Sequence, residues 1–213
     1  MPIEVRPAED LAHATELALE EVRALRPRTI ALSGGSTPQP LHAQLATLDL
    51  DWPQVEFFFA DERCVPPDHE DSNYRLAHES LLSRVPAQVH RMRGEDCDAE
   101  AYEEVVRQRL GDRPVLDLAL LGMGVDGHTA SLFPGDAALE ERERLVLRVV
   151  RPDYPRLTLT LHVLSAARVA LFLVSGEDKH EAVRRLIDRD ESIPATLVRA
   201  ERVVLVADRA ALG

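Results

Sequence analysis

The run Val115-Leu116-Asp117-Leu118-Ala119-Leu120-Leu121 is apolar but for one acid and ends abruptly in glycines. It is too short for a typical helix, and its unbroken apolar character fits a strand buried on both faces. Val55-Glu56-Phe57-Phe58-Phe59-Ala60 and Val169-Ala170-Leu171-Phe172-Leu173-Val174 read the same way. Strands of this kind need layers above and below them. Residues 8–26, 72–85, 98–110 and 177–188 supply helical spacing between or after the strands. The first of these places Leu11, Ala14, Ala18, Val22 and Leu25 on one face, with Pro27 as its stop. Short strands are expected at 29–32, 89–92, 145–150, 157–161 and 203–206. The expected fold is therefore α/β, three-layer and Rossmann-like, with a mainly parallel sheet and helices on both faces. Leu157-Thr158-Leu159-Thr160-Leu161 alternates strictly, so an antiparallel strand is expected near 157–161. With no repeat or low-complexity break, residues 1–213 read as one domain.

The loop after Leu121 reads Gly122-Met123-Gly124-Val125-Asp126-Gly127-His128. In an open α/β sheet, ligands bind where loops leave the carboxyl ends of strands. The three glycines also satisfy G-x-G-x-x-G, but a dinucleotide site needs a long helix next and an acid ending the following strand. Here Pro134-Gly135 stops the chain soon after Phe133, and Glu140, Glu141 and Glu143 precede the next apolar run. An acid and a histidine two apart on a glycine turn instead suggest a catalytic floor.

Three further stretches carry site chemistry. Ser33-Gly34-Gly35-Ser36-Thr37-Pro38 follows a strand and leads into Leu41, Leu45 and Leu48 at helical spacing. Ser36 or Thr37 can cap a helix opening at Pro38, and such a turn is a ready anion cradle. Asp61-Glu62-Arg63 places three charges at a strand's end, poor strand material but good site material. Lys179 sits in the first turn of a helix, against the dipole, which hints at function.

The formal net charge of −12 disfavours nucleic acid and anionic membranes as partners, since both reward a basic face. An anionic ligand would therefore need a local basic pocket. No apolar run approaches a membrane span, and the N-terminus shows no signal pattern, so the expected setting is cytoplasmic. Cys64 and Cys97 make neither a metal-ligand spacing nor a disulfide framework.

Taken in order, Ser33–Pro38, Asp61-Glu62-Arg63, Ser72-Asn73-Tyr74 and Gly122 to Pro134 resemble the glucosamine-6-phosphate deaminase/6-phosphogluconolactonase family. Arg156-Leu157-Thr158-Leu159-Thr160 and Gly176-Glu177-Asp178-Lys179 fit the same pattern, and the likeness spans roughly residues 28–199. The deaminases carry a glutamate in a Phe-Asn-Glu-Pro segment shortly after Asp-Gly-His. Here Ser131-Leu132-Phe133-Pro134 has no carboxylate, so the chain resembles the lactonase branch.

That resemblance implies hydrolysis of 6-phospho-D-glucono-1,5-lactone to 6-phosphogluconate, the second step of the oxidative pentose phosphate pathway, without metal or other cofactor. It implies His128 as general base, with Asp126 orienting either the ring or the loop. Backbone amides of Gly122 to Gly127, Gly124 among them, become candidate oxyanion donors. The substrate phosphate would rest on Ser33, Gly34, Gly35, Ser36 and Thr37, with Arg63 and Lys179 as charged contacts and Arg156 as another. Asp61 would contact sugar hydroxyls or position Arg63. The implied partner is a small sugar phosphate, and the implied state a monomer or small homo-oligomer. The rival expectations are an aminosugar-phosphate deaminase or isomerase, and a non-catalytic sugar-phosphate sensor.

Overall fold

The computed structural model describes residues 3–213. The first half forms β1 (Ile3–Ala8), α1 (Leu11–Leu25), β2 (Thr29–Leu32), α2 (Gln39–Leu45), β3 (Glu56–Phe59), β4 (Asp61–Arg63), α3 (Asn73–Ser80), β5 (Gln88–Val89) and α4 (Ala99–Leu110). The second half forms β6 (Leu118–Leu121), β7 (Val146–Val149), β8 (Arg156–Leu159), α5 (Leu161–Ser165), β9 (Val169–Val174), α6 (His180–Ile187), α7 (Pro194–Leu197), β10 (Arg202–Asp208) and α8 (Arg209–Leu212). No helix among the described residues is long and apolar enough to cross a membrane.

Seven strands make one sheet in the order β1-β10-β9-β6-β2-β3-β5, with every pairing parallel. The strands β4, β8 and β7 make a second, antiparallel sheet. From β2 the chain steps outward to β3 and β5, and from β6 it steps the other way, to β9 and β10. Right-handed crossovers moving in opposite directions put their helices on opposite faces. The neighbours β2 and β6 therefore flank the point where strand order reverses, which is where such sheets open a crevice. Phe57, Phe58, Phe59 and Phe172 are all fully buried. Consecutive phenylalanines can all be inside only because both faces of the strand are covered. Each contributes roughly 2–3 kcal/mol by leaving water.

The structure departs from the sequence expectations in several places. Residues 3–8 form the edge strand β1, and the helix expected from residue 8 begins at Leu11 with Asp10 as its cap, accepting from the His13 amide at 2.9 Å. Pro7 is tolerated there because β1 lies at the edge of the sheet. Leu118 opens β6 because the Asp117 carboxylate turns back to accept the amides of Arg28 and Thr29. Neither Ser36 nor Thr37 caps α2: the helix begins at Gln39, after Pro38, with no side-chain cap. Asp61-Glu62-Arg63, read as poor strand material at a strand's end, is itself strand β4, because β8 offers its backbone as an antiparallel partner. Lys179 closes a 3-10 turn ahead of α6 instead of sitting inside the helix. Cys64 and Cys97 are joined in a disulfide, with Cα atoms 5.1 Å apart. Their spacing of 33 residues conceals that the fold brings the segment after β4 back beside the loop before α4.

Candidate active site

Loops from the carboxyl ends of β2, β3, β6 and β9 enclose a cleft of about 400 Å³. Ser33 to Pro38 form one wall, Asp61, Arg63 and Asn73 another, and Gly122 to Gly124 with His128 the floor. Ser175, Asp178 and Lys179 close it from the β9 side, and Arg156 enters from the small sheet.

The floor is built by its own hydrogen bonds. The Gly124 amide donates to the His128 carbonyl at 2.9 Å, and the Gly127 amide donates to the Gly124 carbonyl at 3.0 Å. The Thr129 hydroxyl donates to the Gly122 carbonyl at 2.9 Å. Gly124 cannot be anything larger: a Cβ there would lie 2.1 Å from His128 Nδ1. These bonds correct one expectation. The amides of Gly124 and Gly127 are spent within the loop and are not available to an oxyanion.

His128 Nδ1 lies 2.6 Å from Asp126 Oδ1, which also accepts the His128 amide at 3.1 Å. Burial works against the Asp126 charge, but the hydrogen bonds from the His128 backbone and ring outweigh it and hold the carboxyl below its ordinary range. An ionised Asp126 fixes the proton of a neutral imidazole on Nδ1 and leaves the lone pair on Nε2. Nε2 has no protein partner among the described residues, and the side chain is 29% exposed. The ring rests on Phe133 with centroids 4.4 Å apart, and the Arg151 guanidinium lies 3.8 Å from the Phe133 centroid.

The opposite wall is rich in donors. The Ser33 hydroxyl is buried without a protein partner, so a ligand oxygen would satisfy it. The α2 helix is short, so its dipole adds little to this wall. Arg63 Nη1 donates to the Asn73 side chain and to the Asp71 carbonyl. Arg156 Nη2 donates to Asp153 at 2.6 Å, and its Nε is buried without a partner. Lys179 Nζ lies 3.3 Å from Asp178. Asp61 accepts from the Ser131 hydroxyl at 2.6 Å and from Asn73 Nδ2 at 3.0 Å. No group of three or more metal-ligating side chains is gathered among the described residues.

Residues 5–206 match the family of glucosamine-6-phosphate isomerases and 6-phosphogluconolactonases. The chain belongs to that family. Within it, the chain is 41% identical over 169 residues to a 6-phosphogluconolactonase of a Nostoc species, a match covering 74% of this chain and 70% of the relative. A rat 6-phosphogluconolactonase is 39% identical over 188 residues, covering 80% and 73%. A solved 6-phosphogluconolactonase from Trypanosoma cruzi superposes with a TM-score of 0.88 at 29% identity, covering 99% and 97%. A monomeric glucosamine-6-phosphate deaminase has a TM-score of 0.83 at 22% identity, which shows the common fold alone.

Ser33 to Thr37, Asp61, Arg63, Gly124, His128, Arg156 and Lys179 all line this one cleft, and Asp126 touches it through His128. Three polar participants were missed. Asn73 and Ser131 stood inside motifs but without roles, and Ser175 carried no signal. Their places depend on contacts across 12, 70 and 33 residues of sequence, to Asp61 and, for Ser175, to Asp208.

Proposed function

We propose that the chain hydrolyses 6-phospho-D-glucono-1,5-lactone to 6-phosphogluconate. The observation that carries this reading is a single cleft holding the Asp126–His128 pair on its floor and an array of unspent donors opposite. His128 Nε2 takes a proton from water as the water oxygen bonds to C1. The carbonyl oxygen becomes an oxyanion in the tetrahedral intermediate. Its collapse breaks the bond from C1 to the ring oxygen, which receives the proton back from His128 and leaves as a hydroxyl. The acid so formed ionises at neutral pH. A lactone is already an activated ester, so the site needs neither a covalent nucleophile nor a metal.

The C6 phosphate is held by the Ser33–Thr37 loop with Arg63 and Lys179, and Arg156 supports it. Asp61, pinned by Ser131 and Asn73, faces the sugar hydroxyls. Asp126 holds the ring tautomer. The protein works as a cytoplasmic enzyme on a soluble sugar phosphate, as a monomer or small homo-oligomer. No carboxylate stands in Ser131 to Pro134 to open an aminosugar ring, which favours the lactonase over the deaminase.

The test is hydrolysis at neutral pH, corrected for the spontaneous rate, with and without the C6 phosphate. The wild type should strongly prefer the phosphorylated lactone. His128→Ala should lower kcat by roughly 10²–10⁴ while still binding phosphogluconate. Full activity in that variant refutes the base assignment, and equal turnover of unphosphorylated gluconolactone refutes the phosphate pocket.

A further inference from the structure

Asn73, the first residue of α3, is 3% exposed, yet its carboxamide meets Arg63, Asp61 and the Ser33–Thr37 loop at once. Its Oδ1 accepts from Arg63 Nη1. Its Nδ2 donates to the Asp61 carbonyl at 2.8 Å and to Asp61 Oδ1 at 3.0 Å. The orientation of the amide is thereby fixed, since a guanidinium can only donate and a carboxylate or carbonyl can only accept. On the third side, a Cβ built on Gly34 would fall 1.7 Å from Asn73 Oδ1. The Ser33–Thr37 loop therefore lies directly on the amide, and Gly34 permits the approach.

Asn73 is itself anchored from below. The buried Glu62 carboxylate accepts the Asn73 amide at 2.7 Å, the Tyr74 amide at 2.7 Å, the Arg63 amide at 2.8 Å and the Ser72 hydroxyl at 3.1 Å. One carboxylate thus ties the start of α3 to the strand that carries Arg63. Among the described residues, Nη1 is the only guanidinium nitrogen of Arg63 with a protein partner. Nε and Nη2 are left as a fork for an oxyanion.

We propose that Asn73 is a positioning residue: its carboxamide sets the Arg63 fork against the Ser33–Thr37 loop, so that the two grip the same phosphate. This rests on the reading of Arg63 as a phosphate contact. Asp or Leu at this position cannot substitute, because the site needs an acceptor and a donor on one short planar group.

The experiment is steady-state hydrolysis of the phosphorylated and unphosphorylated lactones by five variants. Asn73→Ala and Arg63→Ala should each raise KM for the phosphorylated lactone roughly tenfold to a hundredfold, with a much smaller loss on gluconolactone. In its preference for the phosphorylated lactone over gluconolactone, the double variant should be no worse than Arg63→Ala alone, because no fork remains to be positioned. Gly34→Ala should be crippled by the clash, and Gly34→Ala with Asn73→Ala should recover activity relative to Gly34→Ala. Should Asn73→Ala fail to fold, Asn73→Ser takes its place in each comparison. Additive losses, equal losses on both lactones, or no recovery of Gly34→Ala would each overturn the assignment while leaving the lactonase reading intact. A wild type indifferent to the phosphate would overturn both.

Discussion

A neutral imidazole carries its proton on one nitrogen, and the neighbour of that nitrogen decides which. Asp126 makes this choice for His128, at 2.6 Å from Nδ1. Asp126→Asn keeps the size but can offer its NH₂ to the ring, which favours the tautomer with the lone pair on the wrong nitrogen. The expected result is a fall in kcat of roughly 10²–10⁴ with KM for the phosphorylated lactone nearly unchanged. Steady-state kinetics checks it, and an equal loss in both parameters would mean that Asp126 serves the loop rather than the ring. Glu62, on β4 of the small sheet, shows a different environment. Burial pushes its carboxyl up to about 7, against the pull of the backbone amides of Tyr74, Asn73 and Arg63. A carboxyl raised in the fold adds stability below its unfolded value of about 4.5, and this is lost as pH rises through about 7. The melting temperature of the wild type minus that of Glu62→Gln should therefore fall across that window.

At the scale of elements, Glu103 is the counterpart with the opposite sign. It joins α4 to the start of β7, accepting from Arg107, from Arg144 at 2.9 Å and from the amides of Leu145 and Val146. Burial opposes its charge, but the hydrogen bonds from Arg144, Arg107 and the two amides prevail and lower its carboxyl to about 2. Stability from this joint is present above pH 4.5 and lost as pH falls toward 2. Thermal melts should show the wild type above Glu103→Gln at neutral pH, with the gap closing on acidification. These joints were invisible in the sequence, whereas the strands of the large sheet were not. Phe57 to Phe59 and Val169 to Val174 announce strands buried on both faces, because covering both faces leaves no polar alternation. The edge strand β1 gave no such signal, being half-exposed and interrupted by Pro7. Strand β4 hid its nature for another reason. Its three charges find partners across the chain, Asp61 in Ser131, Glu62 in α3 and Arg63 in Asn73, and a reading of local composition sees only the charges. The cleft was legible wherever a glycine turn followed a buried strand, and illegible wherever a distant side chain completed it.

At the scale of the molecule, the parallel sheet places four loop clusters at one end, and the reversal between β2 and β6 sets the Ser33–Thr37 loop beside the Gly122–His128 loop. The net charge of −12 leaves the local donors of this crevice to attract an anionic sugar. The Cys64–Cys97 bond closes a stretch spanning α3 and β5, its ends 33 positions apart in sequence. A loop of that length is worth about 3–4 kcal/mol to the folded state in the chain-entropy account. Reduction should lower the melting temperature by roughly 6–16 °C. Calorimetry with and without dithiothreitol checks this, and identical melts would show that the thiols do not pair in solution. Cys64 directly follows Arg63, so the link ends one residue from a proposed phosphate ligand. Glutathione-buffered cytosol keeps most thiols reduced. The polypeptide would then have two grades of heat tolerance, set by the surrounding electron supply, and a sample purified in air would outlast the same enzyme held in a reducing buffer.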